Sequence, residues 1–119
     1  MQVALAIPAG ATTTQTSPDL VNPSSRGVHV VLDLTVNAGG LGSITLTIQG
    51  KDPGSKKYYT LLAGAAVTTV STNVYRVFPK ATPAANLVAN DGPPELWRIQ
   101  IAANTANPVT YSVGACTLP

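Results

Sequence analysis

Charge is scarce in this sequence. Only 10% of its residues are Asp, Glu, Lys or Arg, against about 25% in an ordinary soluble domain, and seven bases face five acids. The bases are scattered: Arg26, Lys51, Lys56, Lys57, Arg76, Lys80 and Arg98. A nucleic-acid interface calls for a basic cluster on one face, so no nucleic-acid partner is expected. Histidine occurs once, as His29, which rules out a histidine-based metal cluster. Cysteine also occurs once, so Cys116 has no partner for an internal disulfide and is expected to be a small buried apolar residue. No apolar run approaches the roughly 18 residues of a membrane helix, and no Lys or Arg precedes Arg26 to form the basic start of a secretory signal. Long helical patterns are missing too. Catalysis by convergent titratable groups has little to draw on, so a non-enzymatic role is expected, with no cofactor, no metal and no membrane.

Alternation is abundant. In "GVHVVLDLTV" the residues Val28, Val30, Leu32, Leu34 and Val36 share one face, with His29, Val31, Asp33 and Thr35 on the other. "SITLTIQ" repeats the pattern with Ile44, Leu46 and Ile48 inward. "LWRIQIA" does so with Trp97, Ile99 and Ile101 inward and Arg98 and Gln100 outward. "NVYRVFP" and "NTANPVTYSVGA", the latter a turn and then a strand with Val109, Tyr111 and Val113 on one face, complete the set. The small, β-branched stretch 63–72 reads as strand without a clear register. Six or seven short strands between Gly/Pro turns predict an all-β, antiparallel, jelly-roll-like β-sandwich over residues 27–119. One departure from the pattern is expected: Thr82 and Pro83 suit a helix start, predicting one or two helical turns at about 83–89. Residues 1–26 are rich in Thr, Ser and Pro and read as an extended arm with one edge strand near Val3–Ile7, which fits either a disordered terminus or an arm laid along a partner subunit.

The chemistry on offer is thin. His29 and Asp33 point the same way along one strand but stand about 13 Å apart, too far for a dyad. Asp52 and Asp91 sit in turns, and Asp91 with Glu95 around "GPP" offers at most a weak calcium-type oxygen pair. The most suggestive stretch is "IQGKDPGSKKYYTLL", residues 48–62. Asp-Pro-Gly turns the chain, and Lys51, Lys56, Lys57, Tyr58 and Tyr59 concentrate cations and aromatics at one tip. Such a tip either keeps a hairpin soluble and blocks edge pairing, or contacts a partner by charge and ring stacking.

The ordered segments "TIQGKDPGSKKYYTLLAGAA", "VYRVFP", "ANLVANDGPPELWRIQI" and "YSVGA", spread over roughly residues 26–115, resemble small β-sandwich virion proteins encoded near the head genes of tailed bacteriophages. That resemblance implies a capsid decoration (cement) or head-fibre-type protein on the capsid surface. Its implied partners are the major capsid protein or other virion proteins and further copies of itself, a trimer being favoured at capsid pseudo-threefold positions. The hairpin is also similar to hairpins of jelly-roll adhesion and carbohydrate-binding modules, which implies a surface glycan as the alternative ligand. Neither family carries a catalytic motif onto this chain.

Overall fold

A computed structural model describes residues 3–11, 15–22, 27–105 and 109–118. Among the described residues ten strands make two sheets. In chain order they are β1 (Val3–Ala11), β2 (Gln15–Thr16), β3 (Leu20–Val21), β4 (Gly27–Val36), β5 (Ile44–Lys51), β6 (Tyr58–Val67), β7 (Ser71–Val77), β8 (Val88–Ala89), β9 (Leu96–Ala103) and β10 (Thr110–Leu118). The first sheet has the order β1-β10-β4-β7-β8; in the second, β9, β5 and β6 run side by side and both β2 and β3 pair with the outer edge of β9. All pairings are antiparallel except β7 with β8. The protein is therefore an all-β sandwich.

The alternating residues meet between the sheets. Val28, Val30, Leu32 and Leu34 from β4 face Ile44, Leu46 and Ile48 from β5, and Ile99, Ile101, Val113 and the rings of Tyr75, Trp97 and Tyr111 fill the remainder. Burial pushes the Tyr111 hydroxyl up to about 12. Alternation was sufficient to find these positions because each sheet buries one face, which makes a period of two the signature of burial.

The β5–β6 hairpin is regular on β5 and bulged on β6. Ile48 pairs with Leu62 but Gln49 with Thr60, leaving Leu61 as an extra residue, so Leu61 and Leu62 both turn inward. A second shift lies between Thr45–Ala66 and Thr47–Ala63. These two shifts account for a register that alternation alone leaves open. Gly64 lies in the second bulge, where a Cβ would stand 2.8 Å from the Leu46 carbonyl oxygen and 3.0 Å from the Tyr75 ring.

Three expectations change. Val36 does not join the interior: it is 51% exposed, because β4 runs past the last layer of the core and its pairing with β10 slips between Thr110–Val36 and Tyr111–Leu34. Residues 83–89 form no helix. The Val88 N–H does reach the Ala84 carbonyl at 2.9 Å, as one helical turn would, but Asn86 adopts φ +64° and stops propagation. The chain then enters β8, whose neighbours tie to β7 through Arg76 N–H to Leu87 C=O and Phe78 N–H to Ala89 C=O. Cys116 is half-buried rather than buried, on the outer face of β10 in register with His29.

The stretch expected as an arm edges both sheets of its own chain. β1 pairs with β10, while β2 and β3 pair with β9. Pro23 and Arg26 lie outside the described residues.

Candidate functional site

The strand registers sort the sandwich into two ends. At one end stand the 52–57 turn, the start of β9 and the 78–95 segment; at the other stand residues 37–43, 68–70 and 104–105. Among the described residues every Lys, Arg, Asp and Glu except Asp33 belongs to the half containing the hairpin. This charged end carries the candidate site.

The turn itself is built by Asp52. Its N–H donates to the Lys57 carbonyl and its carbonyl accepts from the Lys56 N–H, both at 2.8 Å. Its carboxylate accepts from the Ser55 hydroxyl at 2.7 Å and from the Ser55 and Gly54 N–H groups. The Ser55 hydroxyl, helped by those N–H groups, holds the Asp52 carboxyl below the usual carboxylate range. Lys56 takes φ +64°, a conformation more natural to Gly or Asn, and closes the turn with its side chain exposed.

Across the hairpin Lys51 pairs with Tyr58, and on the neighbouring strand Gln49 pairs with Arg98. All four side chains fall on the outer face of the second sheet. Asp19, brought in by the link between β2 and β3, completes the group. Lys51 Nζ donates to Asp19 Oδ2 at 2.8 Å and the Tyr58 hydroxyl donates to Asp19 Oδ1 at 2.6 Å. Arg98 stacks on the Tyr58 ring, its Cζ 3.4 Å from the centroid, while its Nε donates to Gln49 Oε1 at 2.7 Å. The hydrogen bond from Lys51, then that from Tyr58, holds the Asp19 carboxyl below its ordinary range, and the same contact raises Lys51.

This network divides the predicted contact residues. Lys51 and Tyr58 are engaged within the chain. Lys56 and Lys57 remain exposed at the tip. Tyr59 lies on the other face, over Gly50, where a Cβ would stand 2.8 Å from Tyr59 Cζ and Oη and 2.9 Å from Pro94 Cγ. The ring is 45% exposed and covers the end of the core beside Pro94. A groove of about 250 Å³ runs alongside, lined by Lys51, Pro53, Lys56, Pro94, Glu95 and Leu96. Asn22 fixes its far wall: its N–H donates to the Glu95 carbonyl and its Nδ2 to the Pro93 carbonyl.

The other chemical candidates disperse. Asp33 accepts from the Thr72 hydroxyl at 3.3 Å and does not meet His29, whose register partners are Cys116 and Arg76. Burial, and secondarily Arg76, lowers the His29 pKa. Asp91 accepts from the Gly92 N–H, and among the described residues no three metal-ligating side chains gather. Trp97 is buried, so it provides no platform. No helix of the described residues is long and apolar enough to cross a membrane.

Asp19, Gln49 and Arg98 were not singled out in the sequence. Gln49 and Arg98 had only the signal of pointing outward, and their meeting depends on the β5–β9 register. Asp19 sits in a Pro-interrupted stretch with no periodicity to locate it.

No protein-family model matches the chain, and no curated protein or solved structure matches it.

Proposed function

We propose that this chain is a non-enzymatic structural protein of a tailed-bacteriophage virion, a decoration or cement protein that attaches to the head surface. The observation that carries this reading is the fate of the ionisable groups: Asp19, Lys51, Tyr58, Arg98 and Asp52 are consumed in holding one end of the sandwich rigid, and none is left converging on a substrate. A rigid module with two exposed lysines, Lys56 and Lys57, at the tip of a fixed turn suits attachment to an acidic protein surface. Each contact need contribute only a few kcal/mol, because many copies act on one particle. The partners are then the major capsid protein or a neighbouring virion protein, and the location is the capsid surface.

The test is made on purified particles of the phage that encodes the chain. The protein is expected in them at a fixed copy number. Lys56→Glu with Lys57→Glu should weaken rebinding to particles lacking it, more at low than at high salt. Absence of the chain from particles would overturn the reading. A second reading, a glycan-binding or adhesion module, is favoured by Tyr59 and Pro94 beside the groove. Retention on a polysaccharide, lost in Tyr59→Ala, would select it.

A further inference from the structure

The end of the sandwich away from the hairpin carries a second surface. Its described loop residues are 37–43, 68–70, 104–105 and 109, and they include no ionisable side chain. Three aliphatic side chains stand out into solvent: Val36 at 51% exposure, Leu41 at 66% and Val70 at 56%. Nothing in the core asks for them to be apolar.

They are also held in place. Asn37 Nδ2 donates to the carbonyls of Gly42 and Thr68, and Asn37 Oδ1 accepts from the Gly42 N–H. Asn104 Nδ2 donates to the hydroxyls of Ser43 and Thr45, and the Thr105 hydroxyl donates to the Leu41 carbonyl. Gly39 and Gly40, at φ +76° and +67°, turn the loop so that Leu41 projects. A fixed apolar surface binds without first paying an ordering cost.

We infer that this neutral end is a self-association surface and that its occupant is the same end of a second copy of the chain, related by a two-fold axis. Charge selects this occupant. Two copies meeting at their hairpins would oppose Lys56 and Lys57 to Lys56 and Lys57, whereas joining the neutral ends opposes no charges and sets the lysines as far apart as the molecule allows. Area sets the strength. Strands of about 33 Å take up most of the 42 Å long dimension, so the end measures 29 × 22 Å and covers about 500 Å² per partner, below the about 800 Å² of a standard interface. The dimer is therefore reversible and concentration-dependent. It presents two identical lysine-bearing tips about 80 Å apart, close to twice the length of one copy, which would make the free protein bivalent.

Sedimentation equilibrium of the purified full chain tests this without any particle, so its outcome is separate from that of the virion reading. The weight-average mass should climb from 12.2 kDa toward twice that value with concentration. The association constant should change less than twofold between low salt and 1 M NaCl, because no charged pair is involved. Leu41→Lys and, on a different loop, Val70→Lys should each weaken association at least tenfold. Both residues are exposed, and an unchanged melting curve would show that the fold is intact. Lys57→Glu should leave association unchanged. A chain that stays monomeric to the solubility limit overturns the inference, and so does an oligomer that survives both substitutions, is dissolved by salt or has the mass of a trimer.

Discussion

The two ends of this sandwich solve the same problem with different bonds. Each must close the open mouth of a two-sheet core. At the hairpin end closure is ionic and aromatic: Asp19 joins Lys51 and Tyr58, Arg98 lies on the Tyr58 ring, and Tyr59 and Pro94 cover Gly50. At the other end closure is by amides and hydroxyls, with Asn37 and Asn104 lacing the loops and aliphatic side chains left outside. The charged end is thereby closed by ion-paired side chains that stay partly exposed. The neutral end is stiff and poorly solvated. Among the described residues of this charge-poor protein, the Lys, Arg, Asp and Glu side chains other than Asp33 all fall in the hairpin half.

Substitution at two closely packed glycines breaks the comparison most sharply. Gly64→Ala should cost about 1–3 kcal/mol, because its Cβ meets the Leu46 carbonyl oxygen, and backbone inside a sheet cannot step aside. Gly50→Ala meets only the far end of Tyr59 and Pro94, so it should cost about 1 kcal/mol or less. Urea unfolding of the two variants measures both; equal losses would mean that the charged end is as rigid as the strand body.

Removing the lacing at the neutral end comes next. Asn37→Ala removes hydrogen bonds to two loops and should cost about 1–2 kcal/mol while raising amide exchange at Gly42. Unchanged exchange there would mean that the loops are held by their own backbone.

The smallest effect concerns Asp19 and shows as a pH dependence. Its carboxyl is held below the ordinary range when folded, so the unfolded chain binds the proton more readily. The stabilisation is present in full above the unfolded value of about 3.9 and is lost as pH falls through the folded one. Wild type and Asp19→Asn should therefore differ at neutral pH and converge in acid. The same comparison for Asn37→Ala should show no such convergence, since no titrating group is involved.

The legibility of the sequence follows the same division. β4, β5 and β9 were readable because each buries every second side chain, and burial on one face leaves a period that needs no knowledge of neighbours. The hairpin turn was readable because Asp-Pro-Gly acts within its own few residues. What could not be read depends on who lies alongside. Leu61 and Leu62 both turn inward only because β6 slips against β5. Asn86 breaks a helix that Thr82 and Pro83 invite, because residues 87–89 find a place beside β7. Of the five residues proposed for contact, the structure keeps Lys56 and Lys57 exposed and gives Lys51 and Tyr58 an internal partner, Asp19, that only the tertiary fold could name.

The position of β10 bears on how the chain comes to be folded at all. It is the inner strand between β1 and β4, with Gly27 beside Leu118 and Val3 beside Cys116. Synthesis delivers β4 about 80 residues before the strand that must lie next to it, a separation of the kind that slows folding. Until β10 is made, the second sheet can assemble its hairpin, but the first lacks the strand that joins β1 to β4. Until β10 arrives, the flank of β4 that it will cover is open to any extended segment that arrives first.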